Sequence, residues 1–353
     1  MTIAVHINTT NSSKNFIADF YTAVFSVIAH QLPQHQFILI IDKLMTPQSN
    51  NAANLRYFQI LPFSRFKYVQ QIWFQFKLSA FFKKNNVDYF FSEGSMLHSK
   101  LLCRQILYEA TDVVLNHKKT IKKLNQVDTL VVPNHFVKQR FVEATSIPEA
   151  KIVVVEPAVV NTLSAFTVTE KESAKSVYCD GKEFFSFFTE QVSSSNIILM
   201  LKAFSIFKKW QRSNMQLHIV TPNAQTTNIL QLLENYKFKG DVVVVSSNSA
   251  QPYLPAAYAS IFLSESHLLT KEILCNLNTM VPLLLPQNKY NCASFGNAAS
   301  YFEIDADSLS KQLILIYKDE SYRTSMILAM QQLAPKHTVL SAAQKIMSLL
   351  PKN

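Results

Sequence analysis

Four side chains within eleven positions have the types needed for acid–base or nucleophilic chemistry: Glu265, His267, Glu272 and Cys275. The ordinary pKa of histidine lies nearest neutral pH. His267 therefore suits hydrogen bonding or proton exchange with a ligand oxygen; the plainer reading is a loop histidine. Glu272 and Cys275 are three apart and share one face if the segment is helical. A cysteine nucleophile needs a neighbouring base and a depressed pKa, so the plainer reading of Cys275 is a small residue turned toward the core. Asn11, Ser12 and Ser13 close a polar stretch, Asn8–Ser13, between an apolar strand and a helix. Amides at a helix start can bind an anion, and Ser12 or Ser13 serves equally well as an N-cap.

Two basic stretches stand apart from these. Phe63–Lys84 interleaves Arg65, Lys67, Lys77, Lys83 and Lys84 with Phe66, Tyr68, Trp73, Phe74, Phe76, Phe81 and Phe82. It reads as a core helix with a basic rim, or as a helix lying on a membrane surface. Lys118, Lys119, Lys122 and Lys123 fall on one helix face, solvated or facing an anionic surface. No nucleic-acid-binding module is matched. Cys103, Cys179, Cys275 and Cys292 form no C-x-x-C pair, so no metal is expected. Their pattern suits free, mostly buried thiols in a reducing compartment.

These groups need elements to position them, and composition limits which. The chain has 353 residues, 48% of them hydrophobic and 16% charged, enough for a core and for two domains. Only four residues are glycine, where average usage predicts about 25. No glycine-rich phosphate loop can be written with them. The net charge is +10, of which +7 lies in residues 1–165 and +3 in the rest. That balance favours an anionic partner or solubility alone. The first residues lack the pattern of a secretory signal, and no apolar run is long enough to span a bilayer. The expectation is a cytoplasmic protein, peripheral at the membrane in one reading.

Strand and helix signals alternate along the chain. Strands are expected at Ile3–Ile7, Phe37–Ile41, Tyr57–Leu61, Val87–Phe91, Arg104–Tyr108, Thr129–Val132 and Ile152–Val155. A second series follows at Phe184–Phe188, Leu217–Val220, Val242–Val245, Ile261–Leu263 and Leu283–Leu285. Helices lie between, one at His117–Leu124 with Asn116 as its N-cap. Residues 161–183 are polar and read as a linker. The division is then 1–160, an N-terminal Rossmann-like domain; 161–183, linker; 184–335, a second Rossmann-like domain; and 336–353, a C-terminal helix. The fold class is α/β, two doubly wound parallel-sheet domains facing a cleft.

The order of short motifs resembles the two-domain GT-B glycosyltransferases, in particular their retaining, glycogen-synthase-like family 4. The resemblance rests on VDTLVVPNHFVK at Val127–Lys138, NIILMLKAF at Asn196–Phe204, LPAAYA at Leu254–Ala259 and GNAASYF at Gly296–Phe302. It covers roughly residues 127–335. It implies a UDP-, GDP- or ADP-sugar donor and no other cofactor. In that family a basic Arg and Lys neutralise the departing diphosphate, and two glutamates eight apart serve sugar and ribose hydroxyls.

Here Thr189 and Glu190 stand where Gly-Arg is expected, and Ser195, just before Asn196, where Lys is expected. Without gaps, His267 and Cys275 take the two glutamate positions. Glu265 and Glu272 are seven apart and fit only in a shifted register. Thr189, Glu190, Ser195, Asn196 and Cys275 are thus the donor-site positions by resemblance, Glu265, His267 and Glu272 the catalytic candidates, and Asn11, Ser12 and Ser13 the acceptor-side loop. The resemblance implies a degenerate glycosyltransferase-like protein of polysaccharide or glycoconjugate synthesis, a partner subunit for an active transferase or for its own copies. The alternatives are an active transferase using the shifted residues with Lys202, and a peripheral membrane or polyanion-binding module.

Overall fold

The computed structural model describes residues 1–7, 15–41, 52–59, 78–93, 103–160, 163–189, 194–222, 226–263 and 269–351. The chain divides into two compact units: Met1–Val160 with Lys336–Asn353, and Asn161–Pro335.

The first unit holds seven parallel strands: β1 (Thr2–Ile7), β2 (Gln36–Ile41), β3 (Leu55–Gln59), β4 (Val87–Glu93), β5 (Arg104–Tyr108), β6 (Thr129–Val132) and β7 (Ile152–Val154). Their order is β3-β2-β1-β4-β5-β6-β7. Parallel strands covered on both faces read as continuous apolar runs, and FILII in β2 is one. On one face Ile3, Val5 and Ile7 meet Phe20, Val24 and Ile28 of helix Asn15–Gln31. On the other, Ala4 and Phe90 meet Leu78 and Phe82. Residues 78–84, the described part of the expected basic-aromatic helix, are helical, with Lys83 and Lys84 exposed outside that core. The C-terminal helix Val339–Met347 belongs to this unit: Ala342, Ala343 and Ile346 enter the same core. It is pinned by an ion pair between Lys345 and Glu156 and by His337 Nδ1 donating to the Pro157 carbonyl at 2.8 Å.

The second unit holds six parallel strands: β8 (Phe184–Phe188), β9 (Gln216–Thr221), β10 (Val242–Ser246), β11 (Ala259–Phe262), β12 (Leu283–Pro286) and β13 (Ala299–Phe302). The order β10-β9-β8-β11-β12-β13 is that of a Rossmann sheet. Phe185 and Phe187 pack beneath Phe204 and Phe207 of helix Ser194–Gln211, with the Phe185 and Phe207 rings edge-on at 5.2 Å. Each such ring contributes roughly 2–3 kcal/mol by leaving water.

Three local expectations are corrected. Residues 163–183 contain a helix, Val168–Tyr178, and are part of the second unit rather than a linker. Thr167 and Glu170 form a capping box that starts it, and Ala174 and Cys179 anchor it in the core beside Tyr253 and Leu254. Its polar composition is that of a solvated outer face. Asn116 does not cap the next helix; it ends a 3₁₀ turn, Val113–Asn116, and helix Lys118–Leu124 starts after His117. The four lysines of that helix are all exposed. All four cysteines are free, but only Cys179 is fully buried; Cys103 and Cys275 are half-buried and Cys292 is exposed.

Candidate functional site

In doubly wound folds ligands bind outside the carboxyl ends of the strands, where the strand order reverses. In the second unit that place is between β8 and β11. Thr189 follows β8 directly; its amide donates to the Val220 carbonyl at 3.1 Å. Its side chain is buried, and Oγ1 has no hydrogen-bond partner among the described residues. A buried hydroxyl left unpaired costs about 1–3 kcal/mol. Ser195 and Asn196 open helix Ser194–Gln211, whose start carries positive dipole charge. Ser195 is exposed. Asn196 Nδ2 donates to the Leu263 carbonyl at 3.1 Å, tying the helix start to the end of β11.

Glu272 and Cys275 lie on helix Lys271–Thr279, which follows β11 and is capped by Thr270 accepting from the Ile273 amide at 3.4 Å. Both are half-buried. Burial pushes the Cys275 thiol up to about 11; Lys271 offsets part of this and Glu272 adds to it. The two side chains are therefore neighbours, as their spacing predicts, and Cys275 is a protonated thiol at neutral pH rather than a ready nucleophile. Glu190, Glu265, His267, Asn11, Ser12 and Ser13 lie outside the described residues.

The first unit has its own reversal, between β1 and β4. Ionisable groups gather at the carboxyl ends there. His6 near the end of β1 pairs in register with Ser92, and Glu93, the last residue of β4, with Tyr108, the last of β5. Glu109 follows β5; its amide donates to the Val131 carbonyl at 2.9 Å and its side chain is buried. Tyr21, from helix Asn15–Gln31, lays its ring edge-on to Tyr108 at 5.1 Å and against Phe91 at 4.9 Å. The Tyr21 hydroxyl is buried without a hydrogen-bond partner. Burial holds that phenol well above its usual value, and Tyr108 and Glu93 add to the shift.

Sequence reasoning named none of His6, Tyr21, Glu93, Tyr108 and Glu109. A carboxylate directly after the apolar run Ile106–Tyr108 was the available signal, since buried ionisable groups mark functional edges. Among the described residues, no group of three or more His, Cys, Asp or Glu side chains could hold a metal ion. None of the described helices is long and apolar enough to cross a membrane.

No protein-family model matches the chain, and no curated protein matches it in sequence. Two Rossmann-like parallel-sheet units in one chain have the fold of the GT-B glycosyltransferases. Solved structures of that fold align over nearly the whole length. A glycosyltransferase from Rickettsia africae ESF-5 covers 99% of this chain and 97% of its own, at 14% identity and a TM-score of 0.73. WaaG, a glycosyltransferase involved in lipopolysaccharide biosynthesis, covers 100% of both chains at 10% identity and a TM-score of 0.69. HepE from Anabaena, in complex with UDP and glucose, covers 99% of both at 10% identity and a TM-score of 0.67. At these identities the likeness is one of fold.

Proposed function

We propose that this protein is a glycosyltransferase-like scaffold of polysaccharide or glycoconjugate synthesis whose donor chemistry is largely removed. In this reading it acts as a binding or partner subunit for an active transferase or for further copies of itself. One observation carries the reading. At the edge of the second unit where a diphosphate would gather cations, Thr189, Ser195 and Asn196 offer hydroxyls and an amide, and the Cys275 position offers a neutral thiol. Stabilising charge that develops on a leaving group is commonly the largest catalytic contribution, and neutral donors supply less of it. HepE is in complex with UDP and glucose, and an E. coli structure of this fold with UDP-2-fluoro glucose, which supports a UDP-sugar as the ligand class; GDP- and ADP-sugars are the other candidates.

A second reading is favoured by the unpaired Thr189 hydroxyl and by the carboxylates of the first unit. A buried hydroxyl without a partner is suited to a ligand, and Glu109 or Glu93 is suited to proton transfer. In that reading the protein is an active nucleotide-sugar transferase using Lys202, His267 and, in a shifted register, Glu265 and Glu272. Calorimetry against UDP-, GDP- and ADP-sugars, paired with turnover assays, separates the two. The scaffold reading expects weak nucleotide-sugar binding and no transfer. Glycosyl transfer abolished by Glu272→Ala would sink it, and absence of all nucleotide binding would sink the transferase.

The third reading, a peripheral membrane or polyanion-binding module, draws on the exposed lysines of helix Lys118–Leu124 and on Lys83 and Lys84. Its test is co-sedimentation with anionic vesicles. A Lys118/Lys119/Lys122/Lys123 charge-reversal variant that pellets as well as the wild type would remove it.

A further inference from the structure

The amino ends of the second unit's strands carry a separate cluster of charge. Glu183 immediately precedes β8, and Tyr258 immediately precedes β11, its amide donating to the Phe184 carbonyl at 2.8 Å. Helix Val168–Tyr178 contributes Lys171 and Lys175, and helix Glu320–Leu333 contributes Arg323. The Arg323 guanidinium lies over the Tyr258 ring, Cζ 4.7 Å from its centroid. That stack holds the guanidinium plane in one orientation. Nη1 pairs with Glu320 Oε1 at 2.8 Å, while Nε is buried with no hydrogen-bond partner. Lys175 pairs with Glu183 at 2.6 Å. Lys171 makes no ion pair among the described residues.

The charges do not balance. Burial and then the Arg323 guanidinium hold the Lys171 ammonium below its usual value; Glu183 offsets part of this and Lys175 adds to it. Arg323 is thus the charge acting most strongly on Lys171. The Glu320 side chain is 67% exposed and mostly solvated. Three cations against Glu183 and the solvated Glu320 leave a net +1. Half-desolvated like charges repel, and a buried N–H without an acceptor is unfavourable. An oxyanion between Lys171 and Arg323 cures both faults, accepting from Nε–H and neutralising the ammonium.

We propose that Lys171, Lys175 and Arg323 form an anion site for a phosphoryl group, inorganic phosphate or a phosphate monoester. A fixed guanidinium fork joined by two ammonium groups suits a tetrahedral dianion better than a single carboxylate. The site lies at the opposite edge of the sheet from the strand carboxyl ends, where such folds take nucleotides. It therefore stands apart from any donor site and does not depend on the reading of that site.

The test uses the full chain and inorganic phosphate, with chloride at matched ionic strength as the control. In the wild type, phosphate titrates saturably in calorimetry and raises Tm beyond the chloride control. Lys171→Gln weakens phosphate at least tenfold and reduces the Tm response to that of chloride. In phosphate-free buffer its Tm equals or exceeds that of the wild type, because an uncompensated cation is gone. Arg323→Lys keeps the charge but loses the fork, and it too weakens phosphate. Lys151→Gln, at an exposed lysine of the first unit, leaves the response unchanged. Glycerol phosphate titrated against bound phosphate assigns the source: tighter binding than phosphate marks a monoester site, weaker binding an inorganic phosphate site. Equal phosphate binding by wild type and Lys171→Gln overturns the proposal. So does absence of saturable binding to the wild type, or a lower Tm for Lys171→Gln in phosphate-free buffer.

Discussion

The two sheets repeat one strand order, yet their carboxyl edges differ in chemistry. In the first unit the edge gathers His6, Tyr21, Glu93, Tyr108 and Glu109, groups that can gain or lose protons. In the second, the described edge offers Thr189, Ser195 and Asn196, which keep one charge state at any ordinary pH. Its ionisable groups near that edge are Glu272 and the protonated Cys275 thiol on helix Lys271–Thr279; His218 sits inside the sheet, and the Lys171–Arg323 cluster lies at the amino edge. A topology shared by two units therefore fixes where a ligand enters and leaves open what meets it. The contrast sets mostly ionisable side chains at the first unit's edge against mostly neutral hydrogen-bonding ones at the second's.

The largest expected effect tests whether the second unit's interior titration is structural. His218 is fully buried between Tyr253 and Gln216. The Gln216 Oε1 oxygen accepts from Nε2–H at 3.1 Å, so Nδ1 must accept from the Tyr253 hydroxyl, also at 3.1 Å. This is a neutral imidazole, and burial lowers its pKa from 6.5 to about 4. The unfolded chain takes up the proton first as pH falls. The contribution to stability is therefore complete above the unfolded value and is lost as pH falls through the folded one. Urea unfolding at pH 7.5 and pH 4.5 should differ by roughly 2–3 kcal/mol from this group. His218→Gln should flatten that part of the slope. An unchanged slope would mean the acid sensitivity arises elsewhere. His337 is the corresponding test for the first unit. It is also lowered, chiefly by burial, so His337→Gln should remove a share with the same sign.

The next effect concerns the backbone. Among the described residues, the positive-φ glycines, Gly181 and Gly296, belong to the second unit. The first unit makes a comparable turn with Asn86, at φ 48°. Gly296 ends helix Lys289–Phe295 at φ 49° and ψ −124°, a region that side chains disfavour. A methyl group added there meets nothing within 4 Å. The cost of Gly296→Ala is thus backbone strain alone, about 1–2 kcal/mol. Asn86→Gly should stay within about 0.5 kcal/mol of the wild type. Equal losses at both positions in thermal melts would erase this difference between the units.

The alternation of strands and helices was legible because buried parallel strands form unbroken apolar runs, as in FILII and FFSFF. Strand Ala299–Phe302 escaped because ASYF is short and half polar, and helix Val168–Tyr178 because its capping residues look like loop composition. The pairing of Glu272 with Cys275 is local, so its spacing carried it. The groups at the first unit's edge come from β1, β4, β5 and a helix, and Lys171 and Arg323 are about 150 positions apart. No periodicity records a contact of that range. The sheet order that creates both edges is likewise set by long-range packing.

The smallest effect bears most directly on the comparison, because each unit buries one unpaired hydroxyl near its carboxyl edge: Tyr21 and Thr189. Neither makes a protein hydrogen bond, so removing either leaves no partner stranded. Tyr21→Phe and Thr189→Val conserve shape. Each is expected to leave stability unchanged or raise it by up to about 1 kcal/mol in urea unfolding. Retention of such groups at a stability disadvantage is what a ligand-facing role requires. If the proposed reading of the second unit's edge as the donor side holds, nucleotide-sugar binding weakens for Thr189→Val and not for Tyr21→Phe. If both variants bind every nucleotide sugar as the wild type does, Thr189 has no ligand role and the neutral edge is structural. If Tyr21→Phe alone weakens the nucleotide sugar, the two units have been assigned the wrong way round.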